Sequence, residues 1–305
     1  IEKVSETRRI NSAEQLFYRI GMAMPFIKEK KPMVELPERL AQFYKEHPND
    51  MEEMKKAFKA GAQQRKNWSK YKDRYAIADA WSSAHSASMG HFPQRPESAP
   101  EESDFSGVNS DRLQFKSPKY ASALMKKISH SLGATLVGCC RLNPDFVYQG
   151  RLRGVGNTDF DVPEHWKNCI VVATPHEWDA LYANPTYGTS YDAYSRECII
   201  AGKIEVFLKE IGYSARAHIP GNSYDLAAVP IAIEAGLGEL GRNSILVTPE
   251  LGSNARLAVI TTDLDLLPDN PIDFGVKKFC EKCKICAEQC PSGSICFDDK
   301  PQTVI

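Results

Sequence analysis

Four of the chain's nine cysteines fall between positions 280 and 290, spaced Cys280-x2-Cys283-x2-Cys286-x3-Cys290 and followed by Pro291. Thiolates three residues apart on a tight loop can reach three iron corners of one cube, and this is the spacing of bacterial-type [4Fe–4S] runs. Zinc is the competing metal, but zinc sites generally draw on two separated Cys-x2-Cys pairs, whereas this run is continuous. The odd cysteine count and the dense clustering favour metal over disulfides. In two-cluster proteins the fourth cysteine of such a run ligates the other cluster, and a second cysteine motif completes it. Downstream only Cys296 offers a thiolate, so the run predicts that the 305 residues are a piece of a longer protein.

The rest of the chain is ordinary in composition. With 38 basic and 39 acidic residues the net charge is −1, which gives no long-range attraction to nucleic acid or anionic membrane. No run approaches the roughly 18 apolar residues of a membrane span, and the first twenty residues lack the apolar core of a signal peptide. Either the chain is cytoplasmic or a leader has been removed. The length suggests about two domains.

Apolar spacing predicts helices over 12–27 and 36–61, the second broken at His47-Pro48 and stopped at Gly61. From Ser86 to about Pro118 the sequence turns to Pro, Ser, Glu and Gly, the composition of a long surface connection. A helix closed by Gly133 follows, then strands at ATLVGCC and CIVVAT. A helix from Ser190 to Ile211, capped by Ser190 or Asp192 and ended by Gly212, precedes strands at SARAHI, NSILVT and RLAVITT. The alternation reads as one α/β (α+β) domain over 118–268, with a helical region and loop at 1–117 and a cysteine domain at 269–305. Gly236-x-Gly238-x-x-Gly241 is a literal GxGxxG, but it follows a helix-like segment where a dinucleotide fingerprint would follow a strand. Its glycines instead suit a turn in which backbone comes close to a large flat ligand.

The blocks LGATLVGCCRLNPDFVY, YSRE, AVPIAIEAGLGELGRNSILVTPELGSNARLAVITTDL and PIDFGVKKFCEKCKICAEQCPSGSI occur in the order of the corrinoid-dependent reductive dehalogenases, which this chain resembles from Ser131 to Ile295 with gaps. The resemblance implies a nitroreductase-like α/β domain holding cobalamin, followed by a ferredoxin-like domain that carries two [4Fe–4S] clusters in the intact protein, ligated here by Cys280, Cys283, Cys286 and Cys290. The family holds its corrinoid without a protein histidine, and none of the seven histidines lies in an Asp-x-His-x-x-Gly signature. The implied reaction is reductive cleavage of a carbon–halogen bond at a Co(I) corrinoid.

By the same resemblance Tyr194 is the proton donor, Arg256 the cation that stabilises its phenolate, and Asn222 a further hydrogen-bonding group; Tyr148, Gly252 and Asn254 are corrinoid contacts. A phenol ordinarily ionises near about 10, so a cation beside it is chemically required. The resemblance names an organohalide substrate, an electron donor reached through a membrane anchor protein, a homodimer and no nucleic acid partner. It places the protein at the outer face of the cytoplasmic membrane after export.

Plainer readings stand beside these. Arg256 can be a surface ion pair, and Asn222 can cap a helix beginning near Ser223. Trp68, Trp81, Trp166 and Trp178 are apolar-pocket candidates or core, and Cys139, Cys140, Cys169 and Cys198 read as buried small hydrophobes. Two rival functions remain: an epoxyqueuosine reductase-like enzyme acting on tRNA, for which Asp192 would supply the acid, and a non-catalytic electron carrier or corrinoid-binding module.

Overall fold

The computed structural model describes residues 38–68, 107–148, 150–153, 156–159, 162–183, 188–218, 225–290 and 293–299. The helix expected over 12–27 and most of the connection after Ser86 lie outside them, as do Trp81 and Asn222. Two helices, α1 (Glu38–Glu46) and α2 (Pro48–Trp68), meet at His47 as the His-Pro break requires, and bury Leu40, Tyr44, Met51 and Met54. Gly61 does not stop α2. The good helix formers around it carry the helix past a glycine that costs about 1 kcal/mol.

The central unit begins with α3 (Pro118–Ser131). Ser117, in extended backbone, caps it by accepting from the Tyr120 amide at 3.2 Å, and Pro118 pre-sets the first turn. Gly133 closes it in the left-handed region at φ 109°, satisfying the His130 carbonyl. Then follow β1 (Leu136–Arg141), a 3-10 turn at Pro144–Phe146, β2 (Gly150–Arg153), β3 (Gly156–Asp159), β4 (Asn168–Thr174), α4 (Trp178–Ala183), α5 (Gly188–Glu210), β5 (Ala215–His218), α6 (Ala228–Glu234), β6 (Glu239–Leu240), β7 (Leu246–Val247) and β8 (Arg256–Thr262). Two short helices, α7 (Val276–Lys282) and α8 (Ile285–Glu288), carry the cysteine run. Among the described residues no helix is long and apolar enough to cross a membrane.

Strands β1, β4, β8 and β5 form one sheet in that order, and every neighbouring pair is antiparallel. Alternation of helices with strands therefore does not make a parallel sheet here. Side chains alternate between faces, and each face builds its own core. Cys139, Ile170, Val172, Ala258, Ile260 and Ala215 pack with α3 and α5; Cys140, Cys169, Val171, Ala173, Leu257 and Val259 pack with α6. With helices on both sides, β4 is buried at every residue, which is why its sequence is nearly unbroken apolar text.

Three expected boundaries move. Helix α5 begins at Gly188, so Ser190 and Asp192 lie inside its first turns, Ser190 accepting from Arg256 of β8 and Asp192 paired with Arg196 one turn on in the same helix. Helix α6 begins at Ala228 after Ala227, with no side-chain cap, later than the start expected near Ser223, which lies outside the described residues. Of NSILVT only Leu246–Val247 forms ladder, because Ser244 adopts φ 61° in the turn of the β6–β7 hairpin.

Close backbone approach fixes Gly138. A Cβ there would stand 2.2 Å from the Ala235 carbonyl oxygen, where α6 ends against β1. Gly138→Ala is expected to destabilise the fold by about 2 kcal/mol through forced separation of these elements, read as a lowered midpoint in thermal or denaturant unfolding.

Candidate active site

The pairing of Thr174 with Arg256 brings the exit of β4 beside the entrance of β8. The Arg256 guanidinium lies over the Tyr194 ring, 4.7 Å from its centroid, where the electron-rich face attracts a cation. It donates from Nε to His176 Nε2 at 2.9 Å and from a terminal nitrogen to Ser190 Oγ at 2.9 Å. His176 Nδ1 lies 2.7 Å from Asn254 Oδ1, which also accepts the His176 amide at 3.0 Å, while Asn254 Nδ2 donates to the His176 carbonyl at 3.2 Å. Tyr194 and Ser190 come from the first two turns of α5, His176 from the loop after β4, and Asn254 and Arg256 from the start of β8. Burial, opposed by the Asn254 hydrogen bond and aided by Arg256 and Arg196, holds the His176 imidazole below its usual range. The structure thus brings Tyr194 and Arg256 together; His176 went unnoticed in the sequence, and Ser190 was read there only as a helix cap.

Asp192, the acid required by the tRNA-modifying alternative, is buried and engaged: Arg196 donates to its Oδ2 at 2.6 Å and to the Pro175 carbonyl at 2.7 Å. One turn beyond Tyr194, Glu197 is wholly buried, and its carboxyl oxygens have no hydrogen-bond partner among the described residues. Thr174 and the charge of Arg196 act on it from nearby, but the Thr174 hydroxyl is equally unpartnered, so Thr174 and Glu197 stop short of a full hydrogen bond. Burial pushes the Glu197 carboxyl up to about 8.

The cysteine run is docked on the glycine-rich segment. Arg242, only 6% exposed, donates to the carbonyls of Cys280, of Cys296 at 2.7 Å and of Asp298 at 2.7 Å. Glu239 Oε2 accepts the amides of Phe274 at 2.7 Å and Val276 at 3.2 Å, completing the first turn of α7. The glycines serve this hairpin. A Cβ on Gly236 would meet the Asn270 carbonyl oxygen at 2.5 Å, and one on Gly238 the Val247 carbonyl oxygen at 2.1 Å. The close approach expected with a flat ligand is, at these two positions, an approach to the chain's own backbone.

A cavity of about 560 Å³ opens between hairpin and helices, lined by Cys280, Cys283 and Cys286 together with Arg242, Phe279 and Ser253. Ser253 separates Gly252 from Asn254, so the cavity adjoins the loop that leads into Arg256. Gly252 sits at φ 59° with nothing within 4 Å of where a Cβ would project. Cys290 is not among the lining residues, and among the described residues no three His, Cys, Asp or Glu side chains are gathered as a ready metal site. All four cysteines of the run are partly exposed; Cys139, Cys140, Cys169 and Cys198 are buried. Burial pushes the Cys139 thiol up to about 12 and that of Cys198 to about 11.

Of the remaining expected residues, Tyr148 is buried where its amide bonds the Asp225 carbonyl at 2.9 Å. Trp166 is core, its Nε1 donating to Ser214 Oγ at 3.1 Å, and Trp178 is largely exposed.

The chain that folds into this antiparallel sheet, with its tyrosine under an arginine and its cysteine run docked on the β6–β7 hairpin, is similar to reductive dehalogenases. The comparisons agree in sequence and in structure. The chain is 33% identical over 230 residues to a tetrachloroethene reductive dehalogenase from Dehalobacter restrictus and 31% identical over 201 residues to one from Sulfurospirillum multivorans. These alignments cover 63% and 56% of this chain but 41% and 40% of the relatives, so it spans about two-fifths of their length. A solved B12-dependent reductive dehalogenase superposes with a TM-score of 0.55 at 28% identity, over 62% of this chain and 28% of that one. A shorter match, 31% over 120 residues, is to an epoxyqueuosine reductase from Listeria monocytogenes, covering 39% of this chain and 30% of that protein. No protein-family model matches.

Glu197 makes stability depend on pH. The folded chain retains a proton that the unfolded chain releases above about 4.5, so stability falls as pH rises from there toward 8. Glu197→Gln is expected to raise stability at pH 7, by on the order of 3 kcal/mol, and to flatten that slope in denaturant titrations at several pH values.

Proposed function

We propose that this chain is the catalytic portion of a reductive dehalogenase acting on small organohalides. The observation that carries the reading is the stacking of Arg256 on Tyr194 at the end of a loop whose Ser253 lines a cavity together with Cys280, Cys283 and Cys286. A corrinoid bound against this site, fed through [4Fe–4S] clusters, would supply the electrons that sever the carbon–halogen bond. One solved relative is described by its B12-dependent dehalogenation, and another was solved in complex with 3-bromo-4-hydroxybenzoic acid. The residues fit these groups. Cys280, Cys283 and Cys286 offer three soft ligands to one cavity, which suits an iron–sulfur cube, and Cys290 is the thiol left for a second. The left-handed Gly252, with open space beyond it, suits a ligand lying against backbone, with Tyr148 and Asn254 as further candidates.

In this reading the Tyr194 hydroxyl gives its proton to the carbon from which halide departs. Arg256 balances the negative charge left on the phenol, and Ser190 and His176 keep the guanidinium over the ring. Asn222 would add a hydrogen bond. Residues 118–268 would constitute the nitroreductase-like corrinoid domain and 269–305 the start of a ferredoxin-like one. Export, a membrane anchor as electron donor and a homodimer complete the proposal. The tRNA reading is weakened by the Arg196 grip on Asp192, and a plain electron carrier would have no use for the Tyr194–Arg256 pair.

Anaerobic reconstitution with cobalamin, iron and sulfide, followed by metal counting and reduced-viologen assays on bromophenols and chloroethenes, tests this. Cobalt near one per chain and halide release are expected, with Tyr194→Phe binding cobalt normally but turning over at least about a hundredfold more slowly. A metallated chain without cobalt, or full turnover by Tyr194→Phe, sinks the reading.

A further inference from the structure

We infer that His176, carrying its single proton on Nδ1, is the positioning residue that holds Arg256 over Tyr194, an inference resting on the dehalogenase reading for its catalytic consequence but not for its geometry. The tautomer follows from partners that have only one role each. The His176 amide can only donate, so the Asn254 atom it meets at 3.0 Å is the carbonyl oxygen; the His176 carbonyl can only accept, so the atom at 3.2 Å is the Asn254 amide nitrogen. With the Asn254 orientation fixed, Nδ1 of His176, 2.7 Å from that same oxygen, must carry a hydrogen. Arginine has no acceptor, so Nε2, 2.9 Å from Arg256 Nε, must present its lone pair. Both ends of the imidazole agree on one neutral form.

Protonation at Nε2 would set two donors and two positive charges 2.9 Å apart, and the hydrogen bond could not survive. Among the described residues, Arg256 would then keep Ser190 and the ring face to position it. The charged groups around His176 are Arg256 from β8 and Arg196 and Asp192 from α5; the arginines and burial disfavour the imidazolium, while Asp192 and the Asn254 hydrogen bond favour it, and the first set prevails. Glu177, next along the chain, is exposed. The post is therefore in place at neutral pH and is withdrawn as pH falls through a value under 6.5, the ordinary imidazole midpoint. Because the lowered midpoint means that the unfolded chain takes up this proton first, stability also declines with pH below 6.5.

The test needs no cofactor. Nitrogen-15 NMR of the full chain with labelled histidine and arginine, the His176 signal among seven histidines assigned by difference from His176→Gln, reads tautomer and titration together. Expected are a proton on Nδ1 and none on Nε2 at pH 7.5, titration below 6.5, and an Arg256 Nε–H whose slow exchange is lost in step with it. An Nε2-protonated tautomer, or Arg256 exchange indifferent to that titration, overturns the inference. In a reconstituted chain that releases halide, His176→Phe is expected to lower kcat roughly a hundredfold with little change in KM. His176→Gln, which keeps an acceptor and cannot titrate, is expected to restore part of kcat and to lack the native acid limb. Native kcat in His176→Phe, or an unaltered acid limb in His176→Gln, overturns the positioning role and leaves the function standing; halide release absent from every form, with the expected tautomer observed, removes the function and leaves the positioning geometry. The six other histidine resonances report whether each variant is folded.

Discussion

The antiparallel pairing of β4 with β8 is the constraint on which the molecule depends. Its register runs from Asn168 opposite Thr262 to Thr174 opposite Arg256, and alternate residues feed two separate cores. Sliding either strand by one residue would exchange the faces and drive the apolar set of one core into the other. The same register delivers His176, Asn254 and Arg256 to one end of the sheet. Fold stability and site assembly are thus two results of one pairing, and a buried seven-residue ladder leaves the site little freedom to shift.

Two buried ionisable groups do different work around that frame. Arg242 is withdrawn from solvent but satisfied by main-chain carbonyls from three positions, so its desolvation is offset and the cysteine loop is tied to the β6–β7 hairpin. Glu239 secures the other side through the opening amides of α7. The loop is held by its backbone, leaving the thiols of Cys280, Cys283 and Cys286 free to face the cavity. Glu197 is the opposite case. It meets burial with no full hydrogen bond among the described residues, and keeping its proton is the cheaper way to stay inside.

Much of this was legible before folding. Periodicity and punctuation located α3, α5, α6, β1, β4, β5 and β8, because Gly133, Gly212 and Gly236 take the left-handed backbone that ends helices and only local chemistry is needed to read them. The cysteine spacing singled out thiols of which Cys280, Cys283 and Cys286 line one cavity, and the ordered blocks singled out Tyr194 and Arg256, which the fold brings together. Misjudged were places where polar side chains and glycines serve partners other than the expected ones: Ser190 and Asp192 looked like caps because cap residues and residues that bond Arg256 or Arg196 from inside a helix share a chemistry, and the glycine motif looked ligand-facing because backbone close to backbone leaves the same signature as backbone close to a ligand.

What the sequence determined by itself is therefore local: which segments are helix or strand, which face of each is apolar, and which thiols share a loop. Only the tertiary structure decided that the sheet is antiparallel throughout, that Arg242 clasps the cysteine loop, and that His176 stands between Asn254 and Arg256, 78 and 80 residues away. Periodicity reports a residue's surroundings along its own element; hydrogen-bond partners so far apart in sequence are set by strand register, which no single segment records.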